Sequence, residues 1–154
     1  MAMEYHDILV AVDGSEASEF AFEKAIEIAK RNDARLIIAH VVDTRVYSSV
    51  EAYDRGVSDR VENDAHQLLQ NYRERAESAG LNNVETVLEN GSPKVKIPKD
   101  IAPKKKADLI ICGATGLNAV ERFFIGSVSE HITRFASMDV LVVRKNIRED
   151  KKEA

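Results

Sequence analysis

The chain has 154 residues, 44% of them apolar, which is enough for one well-buried core and too little for two. Its 22 Lys and Arg against 26 Asp and Glu give a net charge of −4, mixed along the chain, which argues against a broad nucleic-acid footprint. No apolar run nears the ~20 residues of a membrane span, and MAMEYHD lacks the basic-then-apolar order of a signal peptide, so a cytoplasmic location without membrane attachment is expected.

DILVAV, residues 7–12, is the first predicted strand. Ser15 then precedes Phe20, Ala21, Ala25, Ile28 and Ala29 at helical spacing and suits the N-cap of a first helix. RLIIAHVV, 35–42, is the second strand. Residues 44–56, polar with scattered Val and Tyr, fit neither period, and a connection of that length is often a binding loop or lid. A long stripe of Val57, Val61, Ala65, Leu68, Leu69, Tyr72, Ala76 and Ala79 follows, closed by Gly80, the residue best suited to a left-handed C-terminal cap. VETVLE, 84–89, alternates and belongs at a sheet edge.

The next crossover, PKVKIPKDIAPKKK, carries Pro93, Pro98 and Pro103. Pro93 suits a first helical position, but Pro98 removes the bond to the Lys94 carbonyl at a cost of ~3 kcal/mol, so the helix there must be short or kinked. Lys104, Lys105 and Lys106 read as solvated chain. ADLIICG, 107–113, is the fourth strand; its Cys112, the sole cysteine, reads as a buried small hydrophobe without a disulfide or redox role. Val128, Ile132 and Phe135 after Ser127 mark the last helix, with Ser127 as its cap, and VLVVR, 140–144, is the fifth strand.

Nearly continuous apolar strands alternating with helices argue for βα units around a parallel sheet. The fold class is therefore α/β: one doubly wound, three-layer, Rossmann-like domain. If the strand order is 3-2-1-4-5, the chain reverses its winding between the first and fourth strands, and ligands bind open sheets of this kind at that point, at the carboxyl ends.

Three of the seven glycines gather there, in GATGLNAVERFFIGS. Gly113 ends the fourth strand, Gly116 follows, and Gly126 stands before Ser127. Glycine admits left-handed turns and the approach of a ligand to backbone amides, and a helix N-terminus offers unpaired N–H groups to an anion. Phosphate is the natural guest. Asp13, beyond the first strand, would then serve ribose hydroxyls or a metal, and the backbone of Val41 would flank a base. The spacing is not G-x-x-x-x-G-K-[ST], and DGSEAS after the first strand is not G-x-G-x-x-G, so a P-loop NTPase and a dinucleotide enzyme are disfavoured.

Gly113, Gly116, Gly126 and Ser127 match the spacing G-x2-G-x9-G-[ST], with LNAVERFFI as the insert. In this the chain resembles the ATP-binding branch of the universal stress protein family; AVDGSEAS, AHVVD, GSP and VLVVR also fit, and the resemblance covers almost the whole chain, from about residue 4 to 146. It implies an adenine nucleotide alpha hydrolase-like fold in one domain, 1–146, with 147–154 as a polar tail. It further implies that Asp13 contacts ribose and Mg2+, that the Val41 backbone meets adenine, and that Gly113, Gly116, Gly126, Ser127 and Val128 contact phosphates, with Ser15 assisting at the phosphate or metal. ATP, ADP and AMP all suit such a cradle.

Many members carry GSHG where this chain has Gly113, Ala114, Thr115 and Gly116, so a histidine is absent from the loop. Each site residue also has a plainer use: Asp13 and Ser127 as helix caps, Gly113 as a strand-ending turn. His40, His131 and Arg122 form no catalytic constellation with neighbours in sequence, and no catalytic residue is assigned. The expected function is a nucleotide-dependent stress sensor with slow hydrolysis at most, read by a downstream protein partner. The resemblance also implies a homodimer through Val140, Leu141, Val142 and Val143 of the fifth strand. The alternative is a member that does not retain ATP and acts as a dimeric interaction protein.

Overall fold

The computed structural model describes residues 4–43, 55–114 and 125–144. Gly116, Arg122, most of the 44–56 stretch and the expected tail lie outside them. Among the described residues the chain runs β1 (Asp7–Ala11), α1 (Glu16–Asn32), β2 (Arg35–Asp43), α2 (Arg55–Ser78), β3 (Val84–Gly91), α3 (Pro93–Lys96), a π-helical turn (Ile97–Ile101), α4 (Ala102–Lys104), β4 (Leu109–Gly113), α5 (Ser127–Phe135) and β5 (Asp139–Val143). The strands form one parallel sheet in the order β3-β2-β1-β4-β5. The fold is therefore the doubly wound α/β sheet expected, with the alternating VETVLE strand at an edge.

Helices cover both faces, so the central strands have no polar side. Val10, Ile38 and Ile111 pack with Phe22 of α1 and Tyr72 of α2, whereas Leu9, Ile37 and Ile110 pack with Ile101 and with Ile132 of α5. Each such side chain, once buried, contributes ~1.5–3 kcal/mol, which is why strands with continuous apolar runs occupy the centre.

The helix ends follow local chemistry. Ser15 caps α1 by accepting the Ser18 N–H on its hydroxyl. Gly80, at φ +105°, closes α2: its N–H bonds to the Glu77 carbonyl at 3.0 Å and that of Leu81 to Ala76 at 3.2 Å, satisfying two carbonyls the helix would leave open. The Pro98 crossover is broken as expected, and the break takes a specific form. With no N–H at Pro98, the turn widens until the Ala102 N–H reaches the Ile97 carbonyl, five residues back.

Candidate functional site

Below β1 the chain turns sharply. Val12 still donates its N–H to the Ala39 carbonyl at 2.9 Å, and His40 donates from Nδ1 to the Val12 carbonyl at 2.7 Å. Asp13 accepts the Ser15 N–H on Oδ1 at 2.8 Å across Gly14, whose φ of +81° suits glycine. The Asp13 N–H in turn donates to Ser18 Oγ at 3.3 Å. Asp13 therefore does not cap α1; it is an exposed carboxylate with one oxygen oriented by its own turn. Ser15 is the cap and is buried at 3% exposure; its hydroxyl accepts one N–H and keeps its proton and a second lone pair.

Across the cleft, Gly113 has a packing role that the sequence does not reveal. Its φ is not in the left-handed region, but a Cβ there would lie 2.7 Å from the Ala17 backbone, so the missing side chain lets β4 pack against the first turn of α1. Ser127 is not the cap of α5 either. Gly126 holds that position in extended conformation (φ −63°, ψ 159°), its carbonyl accepts the Glu130 N–H at 2.9 Å, and Ser127 is the first helical residue. The sequence pattern placed the cap one residue late because serine is the commoner cap.

Two bonds close the mouth of the glycine segment. Gly126 donates its N–H to the Ala114 carbonyl at 2.7 Å, and buried Ser129 donates from Oγ to the same carbonyl at 2.9 Å. The N–H groups of Ser127, Val128 and Ser129 have no intrahelical acceptor, as in the first turn of any α-helix, and all three residues line the cleft. The positive end of the α5 dipole thus faces it.

The described residues enclose about 180 Å³ between the ends of β1 and β4. That is below the ~300 Å³ at which small-molecule pockets begin, so these residues alone would only partly surround a nucleotide. Asp13, Ser15 and Val41 meet Gly113, Gly126, Ser127 and Val128 in its lining, which places together every expected site residue that the structure describes. Pro93, Ile97, Cys112, Ser18 and Ser129 also line it, and the sequence did not mark them as site residues. For Pro93 the GSP stretch was the available clue, and for Ser129 the repeat of serine two residues after Ser127; for Ile97, which opens the widened turn, no local signal existed.

The cleft is polar at one rim and apolar in its wall. Val41 is nearly buried, and burial pushes the Cys112 thiol up to about 12, so Cys112 is a neutral wall residue. No group of three or more His, Cys, Asp or Glu that could hold a metal occurs among the described residues. Asp13 alone suits Mg2+, which characteristically binds through one or two carboxylates together with substrate phosphates. His131 does not line the cleft; it packs on Phe135 with ring centroids 4.4 Å apart.

Comparison with known proteins gives one consistent answer. A model of the universal stress protein family matches residues 4–144. A Staphylococcus saprophyticus relative that carries the universal stress protein name is 55% identical over 142 residues, 92% of this chain and 85% of its own length. A Staphylococcus aureus relative of the same name is 55% identical over 140 residues, 91% of this chain and 84% of its own. Among solved structures, the universal stress protein UspA of Lactobacillus plantarum superposes with a TM-score of 0.81 at 33% identity, covering 93% of this chain and all of that one. A universal stress protein crystallised in complex with cAMP superposes at 0.71 and 27% identity, covering 92% of this chain and 98% of that one.

Proposed function

Because the chain belongs to the universal stress protein family, we propose that it binds an adenine nucleotide, ATP with Mg2+ in the first instance, at the carboxyl ends of β1 and β4. In this reading it is a cytoplasmic nucleotide-dependent sensor of the stress response, read by a protein partner.

The observation that carries the reading is the N-terminus of α5 opening on the cleft opposite the Asp13 carboxylate. Phosphates belong at the amides of Ser127, Val128 and Ser129, with Gly113 and Gly126 in the same lining and Gly116 assigned there by the family motif alone. Ribose hydroxyls and Mg2+ belong at Asp13, and adenine belongs beside the Val41 backbone against the apolar wall. Micromolar affinity requires about −8.2 kcal/mol. Hydrogen bonds worth ~0.5–1.5 kcal/mol each, added to burial of the base, reach that after the cost of association. Among the described residues of the cleft none is placed as the water-orienting or leaving-group residues of dedicated NTPases are, and on this reading hydrolysis is slow, well below ~1 per second.

A calorimetric titration of nucleotide-free protein with ATP and Mg2+ tests this. Micromolar or tighter binding supports it, and absence of binding would leave the glycines as turn and packing residues only. The cAMP complex of a neighbour favours a second reading, in which a single phosphate suffices. Titration with AMP and cAMP separates the two by rank of affinity.

The β5 edge favours a homodimer as part of either reading. Val140, Leu141 and Val142 are only half-buried within one chain, and an apolar edge strand is a liability until it is covered. A dimer by light scattering at micromolar concentration is expected; a monomer would remove the interface.

A further inference from the structure

We propose that Tyr72, on α2 and outside the lining of the cleft, is a positioning residue that holds the Asp13 turn through Ser18. The inference rests on the reading of Asp13 as the ribose contact.

Tyr72 is 1% exposed, and its ring packs on Phe22 of α1 with centroids 4.7 Å apart. A phenylalanine would supply that packing; the hydroxyl is what needs explaining. It donates to Glu19 Oε1 at 2.7 Å, and Glu19 is held by the Arg75 guanidinium at 2.8 Å. Having given its single proton to Glu19, the phenol oxygen can only accept on its other side, and there it meets Ser18 Oγ at 3.4 Å.

Ser18 completes the path. Its Oγ accepts the Asp13 N–H at 3.3 Å and donates to the Ser15 carbonyl at 3.2 Å, and the Tyr72 oxygen stands 3.4 Å away as a second acceptor for the same proton. The path runs from the Asp13 amide through Ser18, whose one proton the Ser15 carbonyl and the Tyr72 oxygen share, and through Tyr72 to a carboxylate that Arg75 keeps ionised. Hydrogen-bonded groups in such a network polarise one another. The Arg75 guanidinium also lies 4.9 Å from the Phe22 ring centroid and 5.3 Å from that of Tyr72, which anchors the far end. Burial pushes the Tyr72 phenol up to about 12, so the donor is present throughout the working pH range.

Tyr72→Phe tests the assignment because it keeps the ring and removes the relay. ATP affinity is expected to fall about 3- to 10-fold, while affinity for 2′,3′-dideoxy-ATP, which lacks the hydroxyls Asp13 would hold, stays unchanged. Ser18→Ala is expected to lower the same ratio, and adding Tyr72→Phe to it is expected to lower it no further. A loss shared equally by both nucleotides, or no loss at all, would make Tyr72 a packing residue and overturn the proposal. If unmodified protein binds ATP and the dideoxy analogue equally, the ribose role of Asp13 falls and Tyr72 falls with it. If it discriminates but the variants leave the ratio alone, only the Tyr72 assignment falls. Glu19→Gln, which weakens the end of the chain without touching the core, is expected to move the ratio in the same direction and guards against a folding defect in Tyr72→Phe.

Discussion

Gly126 donates its N–H to the Ala114 carbonyl at 2.7 Å, which ties the start of α5 to the end of β4. That bond sets Gly126 at the mouth of the cleft in a conformation open to any L-residue, φ −63° and ψ 159°. Gly126→Val therefore strains no backbone and puts a branched side chain into the lining of the cleft at the start of α5. ATP affinity is expected to drop at least ~10-fold, about 1.4 kcal/mol, with the thermal midpoint nearly unmoved. Unchanged affinity by calorimetry would take Gly126 out of the phosphate site.

Gly113 is expected to behave in the opposite way. An added Cβ meets Ala17 backbone atoms at 2.7 Å, and backbone cannot swing aside as a long side chain can. Gly113→Ala is predicted to cost ~1–3 kcal/mol of stability by overpacking, read as a lower urea midpoint. A neutral substitution would mean that α1 and β4 separate without cost.

Acid should weaken the contact of α1 with α2. Hydrogen bonding from Arg75 holds the Glu19 carboxyl below its usual 4.5 against the opposing effect of burial. The unfolded chain then takes up a proton at a pH where the folded one does not, so this contribution is present above that value and is lost as the pH falls through the lower folded value. Urea midpoints measured down to about pH 3 should decline less steeply in Arg75→Met than in the unmodified chain. Parallel declines would show that the pair contributes nothing to acid sensitivity.

Alkali should act through Cys112, whose thiol burial pushes from 9.0 up to about 12. Between those values the unfolded chain has lost a proton that the folded chain retains, so stability falls as the pH rises across that window. At neutral pH the native thiol should resist an aromatic disulfide reagent that labels the denatured chain readily. Fast labelling of native protein would show the cleft wall opening to solvent.

Where one residue type answers one local demand, the sequence could be read directly. Ser15 at the α1 cap, Gly80 at the left-handed end of α2 and the alternating strand at the sheet edge were all legible for that reason. The strand order came from topology and resemblance together, since apolar runs alone do not say which strands neighbour each other. What could not be read depends on partners distant in the chain. A Cβ at Gly113 would meet Ala17, nearly a hundred residues earlier, and Ile97 lines the cleft from the start of the turn that Pro98 widens. Tyr72 looked like one more member of an apolar stripe, since spacing along α2 reports the ring and says nothing of Ser18 and Glu19 on α1.

The central claim is that phosphates meet the first-turn amides of α5. Backbone amide shifts of Ser127, Val128 and Ser129, followed by NMR during titration with ATP and then with adenosine, test it most directly. Large shifts at these three amides are expected with ATP and small ones with adenosine, which has no phosphate. Absence of shifts with saturating ATP, or equal shifts with both ligands, would contradict it.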